Sequence, residues 1–234
     1  MRIWDIAAGY LSRQSLLGEH RELHGLHSIL VHGKTGYSRH PETLRWVGHL
    51  PALVRRHAWL VAEMRLRGYE DRTPLLSRRA PTRSPERLHT AAEQYALLRG
   101  KYGSSIAGRI PLPTSVQHLW AHHKYSVLAR DPSAYQTFGR RAARHPRQVD
   151  FTVFAEDLVT LLHQAPAAGR LHTAIEHMWG HLSRLVTPDD RRDAQASPAA
   201  MFRVVQEIAV LRAEPYLLTS TALSELAVFI RNER

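Results

Sequence analysis

Apolar side chains recur three and four residues apart through residues 11–30, 50–66, 116–128 and 151–162. That spacing lines them up on one face of an α-helix, whereas the sustained alternation of a half-buried strand is scarce. Helix starts are marked where a capping side chain precedes a proline. Ser84-Pro85-Glu86, Asp131-Pro132, Thr187-Pro188-Asp189-Asp190 and Ser197-Pro198 all have this form, with the proline suited to the first helical position. Gly68 follows Arg65 and Arg67 as a stop signal with cations in the last turn. Gly33-Lys34-Thr35-Gly36 breaks the first long helix. Residues 71–84 read as a linker or long surface loop, since Pro74, Pro81 and several arginines leave little to pack. Gly103-Ser104-Ser105 through Pro111-Leu112-Pro113 separates two halves. The expectation is an all-α chain of two helical modules, residues 1–102 and 114–234, joined by a linker at 103–113.

Candidate chemistry lies near the start. The run Leu16-Leu17-Gly18-Glu19-His20-Arg21-Glu22-Leu23 follows Met1-Arg2-Ile3-Trp4 by about a dozen residues and brings an Arg–Glu pair on a helix close in sequence to an α-amine. Such an amine ordinarily titrates near 7.7–8.0, so part of it is neutral and nucleophilic at physiological pH, and a nearby carboxylate can manage the protons and positive charge. Taken on spacing alone, an ordinary ion pair on a helix surface is the commoner reading.

Three blocks change that weighting. Met1-Arg2-Ile3, then Gln14-Ser15-Leu16-Leu17-Gly18-Glu19-His20-Arg21-Glu22-Leu23, and Leu60-Val61-Ala62-Glu63-Met64-Arg65-Leu66-Arg67-Gly68-Tyr69 occur in the order and separation of the pyrimidine-dimer DNA glycosylase (endonuclease V) family. Residues 1–102 resemble that family. The resemblance implies an endonuclease V-like helical bundle whose terminal amine attacks the deoxyribose C1′ of a UV-induced pyrimidine dimer and then nicks the strand through a Schiff base. It implies Met1 as the amine and Glu22 as the carboxylate, with Arg2 and Arg21 on the lesion and its phosphates and Arg87 on a phosphate. Because Arg2 is bulky, Met1 is expected to be retained. A further family arginine falls on Gly25, and His24 or His27 is the nearest substitute. The implied route uses no cofactor and no metal.

The second half resembles another family. The stretch from His118-Leu119-Trp120-Ala121-His122-His123-Lys124-Tyr125 to Phe138-Gly139-Arg140, the segment His177-Met178-Trp179-Gly180-His181-Leu182 and Glu214-Pro215-Tyr216-Leu217 are similar to YbgA-like helical domains, which have no assigned activity. This resemblance implies a fold and no chemistry, and leaves open a protein partner through this module.

Charge supports a polyanionic partner. There are 32 basic against 21 acidic residues, a net +11, and Lys34, Lys101 and Lys124 are the only lysines. Arginine forks suit phosphate and base edges, and phosphate neutralisation releases counterions; a GC-rich genome also enriches arginine. The first 100 residues hold 16 basic and 9 acidic residues, the remainder 16 and 12, so the first half is the better candidate for double-stranded damaged DNA. The basic run 140–147 suits either a phosphate backbone or a solvated face. No cysteine is present, which removes disulfides and thiolate metal sites and fits an intracellular protein. Neither a membrane-length apolar run nor a signal-peptide pattern is found, so a cytoplasmic protein is expected.

Histidine supplies the competing chemistry. His20, His24 and His27 fall on one helical face, with Glu19 nearby, in a pattern that suits a metal; with 16 histidines in the chain, chance alignment is the commoner explanation. His118, His122 and His123 form a second group with the same ambiguity. The five tryptophans read mainly as core, Trp4 being the one beside the candidate amine. The function expected is a DNA repair glycosylase with abasic-site lyase activity on pyrimidine dimers. The alternatives are a catalytically silent nucleic-acid-binding protein and a His-dependent metal nuclease or hydrolase.

Overall fold

A computed structural model describes residues 1–75, 83–103, 106–144 and 149–230. It is all-α, with no strand among the described residues. The chain divides into two compact units, Met1–Gly108 and Arg109–Arg234. No helix among the described residues is long and apolar enough to cross a membrane.

The first unit opens with eleven residues that are neither helix nor strand apart from a 3-10 turn at Ala8–Tyr10. Among its described residues follow the helices α1 (Arg13–His32), α2 (Pro41–Arg45), α3 (Leu50–Leu66) and α4 (Ala91–Tyr102). The Ser12 side chain caps α1 by accepting from Ser15 N–H, and Gly33 ends it at φ 65°, a left-handed conformation that glycine adopts without a Cβ penalty. Leu16, Leu23 and Leu26 of α1 and Leu53, Leu60 and Met64 of α3 are buried, and α1 packs on α3. Gly108 returns close to the opening segment. A Cβ there would meet the Gly9 carbonyl oxygen at 2.5 Å and the Tyr10 carbonyl carbon at 2.5 Å, so no larger residue fits without moving backbone.

The cap expected at Ser84 is not used. Residues 83–90 are non-helical, and the helix begins after Thr90. There a capping box pairs the Thr90 side chain with Glu93 N–H and the Glu93 side chain with Thr90 N–H, satisfying two otherwise orphaned donors. Pro85 is buried in the preceding segment instead. Part of the expected loop (76–82), Ser104-Ser105 of the expected break and residues 145–147 of the basic run lie outside the described residues.

The second unit is organised around α5 (Val116–Leu128), which packs against α6 (Pro132–Ala143), α7 (Phe151–Leu162) and α8 (Ala168–Leu182). Next come α9 (Pro188–Ala194), α10 (Pro198–Leu211), α11 (Pro215–Leu218) and α12 (Ala222–Glu225). The proline-linked caps at Asp131, Thr187 and Ser197 all hold. Arg130, just beyond α5, is buried and donates to the carbonyls of Ser126, Leu162 and Gln164 at 2.7–2.8 Å and to Glu225. It thus joins the ends of α5, α7 and α12. Within α5, His123 sits 3.0 Å from the Thr221 hydroxyl through Nδ1.

Burial, aided by the like charges of His118 and Arg109, pushes His122 down to about 4. Burial, with the like charges of His122 and Arg130, also holds His123 well below the ordinary histidine value. The unfolded chain therefore takes up protons at these sites below about pH 6.5 that the folded chain resists, so the stability they confer is present above that pH and is lost as pH falls toward 4. The melting temperature is expected to fall between pH 7 and pH 4.5, and His122→Gln should flatten that fall. Parallel acid limbs for variant and parent in thermal melts would contradict the assignment.

Candidate active site

The opening segment is buried without regular structure, so its peptide groups need partners from elsewhere. Side chains supply them. Arg2 N–H donates to Glu22 Oε2 at 2.7 Å, Trp4 N–H to Glu19 Oε1 at 3.1 Å and Asp5 N–H to Gln94 Oε1 at 2.8 Å. In the other direction, Arg45 donates to the Ile3 carbonyl at 3.2 Å, Arg56 to that of Ile6 at 2.8 Å and Arg67 to that of Leu11 at 2.8 Å. Each arginine is also paired with acid: Arg45 with Asp5 and Glu42, Arg56 with Glu19, Arg67 with Glu63. The Arg56–Glu19 pair is two-pronged, at 2.7 and 2.9 Å. Burial pushes the Glu19 carboxyl upward, opposed by Arg56 and the Trp4 N–H.

This frame holds Met1 over α1. The Met1 nitrogen lies 3.8 Å from Glu22 Oε1, while Glu22 Oε2 is anchored by the Arg2 N–H. One carboxylate oxygen is fixed and the other faces the nitrogen. The Glu22 side chain is 36% exposed, against 9% for that of Met1, so the carboxylate is both held and open to solvent. The Arg2 guanidinium lies over the Trp4 ring at 5.3 Å and within 3.4 Å of His89 Nδ1; Trp4 itself is buried. Arg2, Ile3, Leu88 and His89 line part of a small cleft.

The remaining sequence candidates fall in different places. Arg21 is exposed and donates to the Leu17 carbonyl at 3.2 Å, one turn back on α1. Arg87 is half-buried in the segment before α4, next in sequence to Leu88 and His89 of the cleft. Gly25 is exposed, and a Cβ there would meet nothing. His24 turns to the other flank of α1. Its Nε2 lies 3.1 Å from His57 Nε2 of α3, which is also 3.1 Å from His20 Nε2, and His20 Nε2 is 3.3 Å from Asp71 Oδ1. These four form one group; His27 is not a member. Burial and the neighbouring His20 and His24 push His57 down to about 4, and burial lowers His24 as well. Burial acts to raise Asp71, but the Thr73 N–H, His57 and His20 outweigh it and hold it below the usual carboxylate range.

Arg45, Arg56, His57, Asp71 and Gln94 were not singled out by the sequence. An arginine flanked by polar neighbours reads the same whether it faces solvent or a buried carbonyl. The one available signal is that Arg56 and His57 lie inside the apolar 50–66 segment.

Residues 1–77 match the family model described as pyrimidine dimer DNA glycosylase. Residues 124–222 match one described as a protein of unknown function (DUF1722). The two matches fall on the two segments whose resemblances the sequence carries, each over less than half of the chain. The first match ends ahead of α4, so Arg87, His89 and Gln94 lie beyond it. No curated protein and no solved structure matches the chain.

Removing one member of a buried ion pair strands the other charge, at a cost of about 3–5 kcal/mol. Arg56→Ala is expected to destabilise the first unit by that amount in urea denaturation. A loss below about 1 kcal/mol, the level of an exposed pair, would mean that Arg56 does not anchor the opening segment.

Proposed function

We propose that the first unit is a pyrimidine-dimer DNA glycosylase with abasic-site lyase activity, using the Met1 amine as nucleophile and Glu22 as its acid–base partner. The observation that carries this reading is the 3.8 Å approach of the Met1 nitrogen to a carboxylate whose second oxygen is anchored. The family match over residues 1–77 supports it.

The chemistry is stepwise. The nitrogen lone pair attacks C1′ of the 5′ nucleotide of the dimer, and the glycosidic bond breaks with its electron pair leaving on the base, which takes up a proton. Opening of the sugar ring gives a protonated imine. Loss of a C2′ proton then expels the 3′ phosphate by β-elimination, and water hydrolyses the imine to regenerate the amine. Glu22 stabilises the positive charge that develops on the sugar and relays protons between the nitrogen, C2′ and water. The amine must be free for this route, so Met1 must be the first residue of the mature protein. A bulky lesion weakens stacking, and displacement of a nucleotide gives access to C1′.

Arg2, Arg21 and Arg87 are the residues proposed to contact the lesion strand and its phosphates, with the net positive charge drawing in duplex DNA. His24, the other residue read from the sequence as a DNA contact, lies beside His57 on the opposite flank of α1 from Glu22 and is left out of that set. A cytoplasmic location and a base-excision role accompany this reading.

Borohydride reduction tests it directly, because only an imine becomes a stable covalent link to DNA. Untagged protein, with the Met1 terminus verified by intact mass, is expected to be trapped on UV-irradiated duplex. Protein carrying an uncleaved amino-terminal tag is not. Salt-sensitive binding without trapping would instead favour a catalytically silent nucleic-acid-binding protein.

Glu22→Gln keeps the size and hydrogen-bonding reach of the side chain but removes its charge. Strand cleavage should drop by roughly 10²–10⁴-fold, the usual worth of a positioned acid–base group, with damaged-duplex affinity within about threefold of the parent. Cleavage near the parent rate would remove Glu22 from the mechanism.

A further inference from the structure

On α1, His20 and His24 are one turn apart and share a flank, about 160–200° around the helix from Glu22. The group they form with His57 and Asp71 has no part in the amine chemistry. Its three imidazoles converge, with ring centroids 4.7, 4.8 and 4.9 Å apart, and all three present Nε2 to the centre.

We propose that His20, His24, His57 and Asp71 bind one divalent transition-metal ion, Zn²⁺ by the chemistry of the donor set, which fastens α1, α3 and the chain after α3 together.

Three observations carry this. The first is spacing. A tetrahedral ion with arms of 2.0–2.2 Å separates its ligand atoms by roughly 3.3–3.5 Å. Here three of the separations are 3.1, 3.1 and 3.3 Å, and all four ligand atoms lie within 4.8 Å of one another. The second is the hydrogen-bond account. Each imidazole nitrogen has one in-plane direction, carrying either a proton or a lone pair. His57 Nε2 faces two histidine nitrogens, and one of those also faces Asp71, so a single proton bridges only one of these contacts squarely. A central cation satisfies all four groups at once. The third is burial. His57 is 3% exposed, and the Asp71 and His20 side chains are 2% and 12% exposed. His24 is half-buried. Four protein ligands complete a tetrahedral set and leave no position for substrate, which is the form of a structural site. Imidazole donors without thiolate suit zinc better than the hard oxygen-seeking cations. The Thr73 N–H donates to Asp71 Oδ1 at 3.1 Å, orienting the carboxylate from outside as second-layer partners of metal ligands do.

The three histidines come from two helices and the carboxylate from the segment beyond the second helix. The ion therefore acts as a cross-link in the folded state alone, and its binding energy adds to folding.

The test uses the untagged full chain, since a polyhistidine tag would itself bind metal. Purified protein loaded with Zn²⁺ and dialysed is expected to retain about one equivalent by elemental analysis. Co²⁺ in its place should give the intense visible absorption of a tetrahedral site. Stripping with a strong chelator should lower the melting temperature, and Zn²⁺ should restore it. His57→Ala and the milder Asp71→Asn should reduce retained metal roughly tenfold or more, with His27→Ala as a control that retains it. If the parent protein retains no Zn²⁺ and gives no Co²⁺ spectrum, the proposal is wrong. It is equally wrong if His57→Ala, folded by circular dichroism, binds like the parent. The metal titration reads the histidine group and borohydride trapping reads the amine, so each proposal stands or fails on its own assay.

Discussion

A buried peptide chain outside any helix or sheet has to find hydrogen-bond partners for its backbone, and the first unit is arranged around that requirement. Residues 1–11 run through the interior, and the partners come from side chains: carboxylates and an amide take up the N–H groups, and three arginines serve the carbonyls. An arginine carries five donors in a planar fork, so one residue can satisfy a carbonyl and a carboxylate together. Arg56 does this with Ile6 and Glu19. The arrangement pairs peptide groups of the opening segment with side chains and leaves its first nitrogen beside the partly exposed Glu22.

Helix α1 is the element on which these constraints meet. At about 100° per residue, Glu19 points inward and Glu22 lies some 60° to one side. His20 and His24 lie 100–140° to the other. The inward carboxylate is neutralised by Arg56 and spent on structure. The flanking one is partly exposed and faces Met1. Two glutamates three residues apart on one helix thus have different surroundings and different work, and the His20–Asp71 group takes the remaining flank without interfering with either.

Local signals carried most of the fold. The segments 50–66, 116–128 and 151–162 appear as α3, α5 and α7 with those same ends; apolar spacing runs through all three, and Ser115 and Asp150 cap α5 and α7. The proline-linked cap at Ser84 failed for a local reason as well. Thr90, with Glu93 three residues on, offers a reciprocal capping box, and the better-satisfied start won. The site was legible only where it too was local. Met1 and Arg2 stand in one short block and Arg21 and Glu22 in the next, whereas the histidine face read from residues 20, 24 and 27 was half of a different object. His57 lies 37 residues from His20, and Asp71 sits where the sequence suggested a loop with little to pack. Spacing along one helix cannot report a partner that tertiary folding brings in. His27, with the right period, was left out because the convergence point is set by α3.

The buried pairs also bear on how the charge of the first unit should be read. Arg45, Arg56 and Arg67 are turned inward, which at first sight weakens the case for an arginine-rich nucleic-acid surface. Their partners, however, are Asp5, Glu42, Glu19 and Glu63, four carboxylates against three guanidiniums. Internal pairing therefore withdraws more negative than positive charge from the count. Of the 16 basic and 9 acidic residues before position 101, 13 and 5 remain outside these pairs. The charges outside these pairs are therefore more basic in balance than composition suggests, the balance that suits a polyanionic partner. Fold and electrostatics are in this sense one design: neutralising carboxylates on backbone-serving arginines leaves Glu22 as a partly exposed acid directly beside the Met1 nitrogen.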